Sequence, residues 1–383
     1  MTSAGGVRSR WARSGRRPAR PEPAVRLGVA FLLEQHLGLG TYADSLIAAS
    51  GQAPDIDARW IPIHYGRGHG RMERMPMPDS LRAIMRARAE IKQGLASGVV
   101  DVRVFNTQVP AALAPRIARA SPYIVITDVT PRQYDRMASG YGHAADRPGP
   151  LRVAKHAWNR HVFRGACRTI GWSSWVRQSL IDEYGIAADR AIVIPPGVDL
   201  TQWRPGSSRP DDRVRILFVG GDFDRKGGRD LLDAFTALPP GRAELVVVTR
   251  SRVDRRPDLT VIDDLGPNDE RLRQLFRSSD VFVLPSRSET FGIAAVEASA
   301  SALPVIATAV GGLTDIVADG ITGFTIAPGD LEALGKRLRQ LVDSSELRQR
   351  LGGAARSRAV AMFDARKNAA RLFDLVRGCA SMS

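Results

Sequence analysis

Short apolar, β-branched runs alternate with amphipathic stretches along almost the whole chain. Val25–Phe31, Trp60–Ile63, Val102–Phe105, Tyr123–Thr127 and Ile192–Ile194 predict buried strands, with helices over Thr41–Ala49, Ser80–Leu95 and Val153–Cys167 between them. Strands that are apolar on both faces and separated by helices belong to a parallel sheet covered on both sides. The pattern breaks over Leu200–Arg213, where two prolines, a Gly-Ser-Ser and five charges have the chemistry of a linker. It resumes with strands at Arg215–Val219, Glu244–Val248, Val281–Leu284 and Pro304–Ala307, and helices starting near Gly228, Asn268, Gly292 and Leu313.

This series predicts an α/β chain of two Rossmann-like, doubly wound domains facing across a cleft. The expected division is a basic tail over 1–24, a first domain over 25–199, a linker over 200–213 and a second domain over 214–362. A terminal helix over 363–383 is expected to turn back onto the first domain. Ligands of such sheets bind outside the carboxyl ends of the strands.

Composition narrows the classes. A content of 44% hydrophobic and 25% charged residues is ordinary for a globular chain. Cys167 and Cys379 are too few for a disulfide framework, and no Cys/His cluster has metal-site spacing, so a cytoplasmic setting is expected. No apolar run approaches the roughly 20 residues that cross a bilayer. The first 26 residues hold seven arginines with no apolar core behind them, which does not match a secretion signal. The net charge of +15 falls mostly on the first half: +6 over residues 1–26, +7 over 27–195 and +2 over 196–383. Leu81–Lys92 and Arg152–Arg168 concentrate cations at helical spacings, so an anionic membrane surface is a candidate partner and peripheral attachment a candidate location. Nothing matches a zinc finger, an RNA-binding aromatic motif or a helix-turn-helix, and nucleic acid is not an expected partner.

Two strings carry the chemistry. In Ser286–Asp330, Glu289 stands in a loop after a strand, and Thr290, Phe291, Gly292 and Ile293 lead into a helix that holds Glu297. The free N–H groups of a helix start favour phosphate or sugar oxygens, and a carboxylate can accept from two vicinal hydroxyls. Glu297 lies among Ala294, Ala295, Val296 and Ala298, a setting in which a carboxylate needs a partner. In Phe218–Gly228, a strand runs into a glycine-rich turn containing Gly221, followed by Arg225 and Lys226, cations suited to a diphosphate. Asp222 and Asp224 have metal-binding spacing, but the adjoining Arg-Lys pair would compete with a cation for the same phosphates, so no metal is expected.

The second half resembles the large retaining glycosyltransferase family of GT-B fold that includes sucrose synthases, glycogen synthases and bacterial mannosyltransferases. The resemblance rests on Ser174-Trp175, Pro196-Gly197-Val198-Asp199, Lys226-Gly227, Glu289 with Glu297, and Val310-Gly311-Gly312. It implies that Glu297 binds ribose hydroxyls, that Glu289 with Phe291 and Gly292 holds the transferred sugar, and that Lys226 holds the diphosphate. It further implies a nucleotide-sugar co-substrate without other cofactor, and retention of anomeric configuration. The chain departs from the family at Gly221, where arginine is frequent, at Thr290, where glycine is commonest, and at Asp315, usually glutamate. Arg225 is a candidate for the missing charge.

In the first half, Glu34–Tyr42 reads as a glycine-containing loop in which Gly38 and Gly40 allow close approach to a donor, with His36 as a further cleft candidate. Asp128 follows a middle strand where relatives keep a histidine, and either contacts the sugar, accepts a proton from the acceptor, or merely shapes a turn. The acceptor and donor base are not legible. A non-catalytic nucleotide-sugar scaffold and a nucleotide-sugar epimerase of the same fold are the alternative readings.

Overall fold

The computed structural model describes residues 26–35, 38–65, 78–96, 98–206, 213–254 and 256–382. The basic tail, His36 and the linker residues 207–212 lie outside the described residues.

The first sheet consists of β1 (Leu27–Glu34), β2 (Ile56–Ile63), β3 (Val102–Asn106), β4 (Tyr123–Thr127), β5 (Arg168–Gly171) and β6 (Ala191–Val193). Its strands are parallel in the order β2-β1-β3-β4-β5-β6. The second consists of β7 (Val214–Val219), β8 (Ala243–Val248), β9 (Leu259–Ile262), β10 (Val281–Leu284), β11 (Val305–Thr308) and β12 (Gly323–Ile326), parallel in the order β12-β11-β10-β7-β8-β9. The order reverses between β1 and β3 in the first sheet and between β7 and β10 in the second, so each has a crevice there. Strands β5, β9 and β12 escape a reading of apolar runs because each is short and carries Arg, Thr or Gly.

Two sequence expectations are corrected. The loop expected over Glu34–Tyr42 is shorter: the helix Gly38–Ala49 already includes Gly38 and Gly40 in its first turn. Its buried stripe, Leu39, Tyr42, Ala43 and Leu46, starts at Leu39 and draws the preceding residue into the helix. Cys167 and Cys379 are joined by a disulfide with a Cα–Cα distance of 6.2 Å, although no disulfide framework was expected.

That bond fastens the last helix, Ala365–Ala380, to the first domain, beside the pairing of Arg377 with Asp55 at 2.8 and 2.9 Å. The chain therefore crosses between domains twice, and the crossings run side by side. Val198 N–H donates to Phe363 O at 2.9 Å and Ala365 N–H donates to Val198 O at 3.2 Å. Arg356 ties the first crossing down through Trp203 O at 2.8 Å and Ala300 O at 2.6 Å. The Pro196–Asp199 segment is thus part of the first crossing. Tethering residues 212 apart restricts the unfolded chain, so Cys379→Ser should lose about 2–4 kcal/mol of stability. Urea midpoints of oxidised wild type against variant check this, and unchanged midpoints would contradict it.

One apolar core occupies the side of the first sheet under Gly38–Ala49 and continues through the seam into the second domain. Its seam is aromatic: Tyr42 to Trp172 at 5.1 Å, Trp172 to Phe291 at 5.9 Å and Phe291 to Phe363 at 6.3 Å between ring centroids. A separate core lies on the opposite face of the first sheet.

Candidate active site

The crevice of the second sheet lies between the carboxyl ends of β7 and β10, and both charged strings of the sequence meet there. Lys226, on the turn after β7, pairs through Nζ with Glu289 Oε2 on the loop after β10. Both side chains are largely buried, with Glu289 at 6% and Lys226 at 16% exposure. Ser286 Oγ donates to the same carboxylate oxygen at 3.4 Å. A cation and a carboxylate withdrawn from water together need each other, because either alone would carry an uncompensated desolvation cost.

Glu289 leads directly into the helix Ile293–Ala300. Gly292 caps it with φ +102°, a conformation that glycine adopts without strain; its carbonyl accepts from Ala295 N–H at 2.9 Å, and the N–H groups of Ile293 and Ala294 have no partner among the described residues. Glu297 lies in this helix, 6% exposed, and no described residue hydrogen-bonds its carboxyl group. Burial pushes its pKa up to about 8, opposed weakly by Arg273. The helix thus presents unpaired donors at its start and an unsatisfied acid beyond them, a combination suited to a ligand rich in hydroxyl and phosphate oxygens.

Arg225 is more constrained than its place beside Lys226 suggested. Its Nε donates to Asp222 Oδ2 at 3.2 Å and its Nη1 to Ser288 O at 2.9 Å. Its guanidinium lies 4.5 Å from the centroid of the Tyr141 ring, which belongs to the first domain. Asp224 is taken up by Arg229 at 2.7 Å. The backbone O of Gly221 accepts from Ser251 Oγ at 3.3 Å, which shapes the turn.

The first domain closes over this crevice. Gly140 sits so near Ser288 that a Cβ there would collide with the serine side chain, and Gly38 faces Ile293. Asp128, on the loop after β4, and Tyr141 both lie beside the Thr290 side chain, which acts on their ionisation. Burial raises Asp128 to about 6, with Thr290 opposing the shift and Glu289 adding to it. Thr130, not Asp128, caps the following helix, so helix capping does not account for this aspartate. At the other end of the seam, Asp315 accepts from Ser174 N and Ser174 Oγ, both at 2.5 Å. Of the two departures from the family pattern, Asp315 therefore ties the domains together, and Thr290 faces the first domain beside Asp128.

Beside Asp128 lies a group that sequence reading missed. Glu34, at the end of β1, accepts from Tyr65 Oη at 2.8 Å and from Thr107 Oγ1 at 3.3 Å. Burial raises it to about 7, and the nearby Asp128 adds to the shift. Asn106, fully buried at the end of β3, has no partner for either side-chain polar atom among the described residues. The sequence signal was slight: a glutamate ending the otherwise apolar run Leu27–Leu33. Together these groups make the crevice of the first sheet polar and acidic.

Comparison with known proteins locates the same two halves. Residues 43–202 match the family model for glycosyltransferase family 4, and residues 261–358 match that for glycosyl transferases group 1. The chain is 30% identical over 235 residues to a D-inositol 3-phosphate glycosyltransferase of Nocardia farcinica, covering 54% of this chain and 52% of the relative. It is 33% identical over 261 residues to one of Streptosporangium roseum, covering 61% and 59%. The matches thus span between half and three fifths of those relatives' lengths. In fold, it is similar to sucrose-phosphate synthase of Thermosynechococcus elongatus, with TM-score 0.74 and 19% identity over 94% of this chain and all of that one. It is likewise similar to the HepE protein of Anabaena, solved in complex with UDP-glucose, with TM-score 0.66 and 19% identity over 92% of this chain and 100% of that one.

Proposed function

We propose, for a chain that belongs to the group 1 glycosyltransferases of GT-B fold, that it moves a sugar from a nucleotide-diphosphate donor to a hydroxyl acceptor. The observation that carries this reading is the Lys226–Glu289 pair at the crevice of the second sheet, beside the helix start at Gly292 and the unsatisfied Glu297. In this arrangement Glu297 takes the ribose hydroxyls, and Glu289 takes the sugar hydroxyls. When donor binds, the diphosphate shares Lys226 with Glu289 and lies against the N–H groups of the helix start. Thr290, the backbone of Phe291 and Ile293 lie between these points.

Loss of the nucleoside diphosphate from an oxocarbenium-like centre places negative charge on the leaving group, where Lys226 and the helix start can stabilise it without a metal ion. Retention of configuration is the outcome proposed, following the family resemblance. Asp128, near enough to Glu289 to feel its charge, is the proposed proton acceptor for the attacking hydroxyl. Its raised pKa sets a direction. Activity is expected to fall as the pH drops below about 6, where Asp128 is protonated. Asp128→Asn should lower turnover about 10²-fold and remove that acid limb. A variant whose pH–rate profile keeps the wild-type acid limb would assign the limb to another group.

Thermal shift in the presence of EDTA, against a panel of nucleotide diphosphates and nucleotide sugars that includes UDP-glucose, tests the donor site. A ligand at 100 times its dissociation constant adds about 2.7 kcal/mol of stability. A shift with one nucleotide class, followed by turnover against hydroxyl acceptors including inositol phosphate, supports the reading. Binding with neither transfer nor donor hydrolysis would favour a non-catalytic scaffold. No shift with any member would remove the donor site.

A further inference from the structure

The turn after β7 and the loop after β10 are laced in register. Arg287 N–H donates to Arg225 O at 2.9 Å, Arg225 Nη1 donates to Ser288 O at 2.9 Å, and Lys226 pairs with Glu289. Arg225 therefore borders the same crevice, one step along from Lys226. Its side chain is 12% exposed, and Nη2 has no partner among the described residues. A guanidinium so far withdrawn from water, with donors to spare, is suited to a phosphate.

The chemistry of the crevice calls for such a cation. The charge of Lys226 is already balanced by Glu289, and Gly221 contributes none. A departing nucleoside diphosphate carries several negative charges, and each fixed cation beside it lowers the barrier.

Arg225 is held in place from the first domain. Its Cζ lies 4.5 Å from the centroid of the ring of Tyr141, the last residue of the helical turn Ala138–Tyr141. Gly140 brings the backbone of that turn against Ser288 and the stem of Arg225. The Tyr141 ring is backed by Tyr134 at 5.4 Å, which stacks on His143 at 4.2 Å between centroids. Thr130 and Gln133 form a capping box at the start of the preceding helix, Pro131–Arg136, and Gln133 Nε2 donates to Trp175 O at 2.8 Å. The ring is thus a fixed platform of the first domain, and an aromatic face attracts a cation more strongly where water is excluded.

We propose, on the basis of the donor site described above, that Arg225 is a second cation for the leaving diphosphate and that Tyr141 is its positioning residue. The anion site is then complete only where the two domains meet.

Thermal-shift affinities for UDP, GDP and ADP, each against its monophosphate, and initial rates with the matching nucleotide sugar read the two roles separately. Arg225→Ala is expected to weaken the diphosphate about tenfold and to leave the monophosphate as in wild type. Tyr141→Leu should lower turnover about tenfold at saturating donor, and Tyr141→Phe, which keeps the ring, should recover most of that loss. Tyr141→Leu with Arg225→Ala should be no slower than Arg225→Ala alone, because the tyrosine acts through the arginine. Losses that multiply in the double variant, or a Tyr141→Phe protein as slow as Tyr141→Leu, would overturn the role of the ring. Equal weakening of monophosphate and diphosphate by Arg225→Ala would make the arginine a structural tie and overturn the proposal as well. If wild type binds a diphosphate and Arg225→Ala binds it as tightly, this inference alone fails; if wild type binds no nucleotide, the donor site itself fails.

Discussion

Lys226→Ala should lower sugar transfer by about 10²- to 10³-fold, with most of the loss in the chemical step. Lys226 is the ammonium group at the crevice where the leaving diphosphate is proposed to sit, and 16% exposure leaves little water to replace it. The substitution also strands Glu289, a 6% exposed carboxylate whose remaining partner is the longer bond from Ser286. An uncompensated buried charge costs about 3–5 kcal/mol, so some loss of stability is expected as well. Two measurements separate the effects. Lys226→Ala with Glu289→Gln removes the stranded charge and should recover much of the stability but none of the activity. Initial rates under saturating donor, alongside denaturation midpoints, read both. Activity within tenfold of wild type in a folded Lys226→Ala protein would remove this lysine from the reaction.

Glu297→Gln is expected to abolish most donor binding while stabilising the ligand-free protein at alkaline pH. Burial holds the Glu297 pKa at about 8, against 4.5 for an ordinary glutamate. Between those values the folded protein keeps a proton that the unfolded chain has released. Stability therefore declines as pH rises from 4.5 towards 8, and the penalty is fully present above that. Glutamine carries no such penalty. At pH 8.5 the variant should melt several degrees above wild type, at about 2–4 °C per kcal/mol, and the two should converge near pH 5. The same variant should lose the thermal shift given by the donor, because an amide offers one acceptor oxygen where a carboxylate offers two. A variant that melts lower than wild type at pH 8.5 would mean that Glu297 is satisfied in the ligand-free state. An undiminished donor shift would take it out of the ribose site.

Much of the second domain could be read from the chain because its chemistry is local. Glu289, Gly292 and Glu297 lie within one loop and one helix, and Lys226 within one turn, so strand–turn–helix patterning places each at a carboxyl edge. Residues of the first domain were harder to assign. Glu34, Tyr65, Thr107 and Asp128 come from the ends of four different strands, and nothing in the immediate surroundings of any one signals the others. Thr290 and Asp315 stood out only as departures from a family pattern, and their reasons lie across the seam, with Asp128 and Ser174.

The alternation of apolar runs with amphipathic stretches determined the two doubly wound sheets, because burial on both faces leaves a period that any short window of sequence carries. The order of the strands, and so the position of each crevice, is a matter of which distant segments pair, and leaves no such period. The same holds for the disulfide between residues 212 apart, for the paired crossings at Val198 and Phe363, and for the aromatic seam of Tyr42, Trp172 and Phe291. Tertiary structure alone decided that Lys226 meets Glu289 and that Asp128 stands opposite them. It also decided which side of the helix Pro150–Gly165 meets the sheet, through the packing of Val162 and Phe163 in the core on that face.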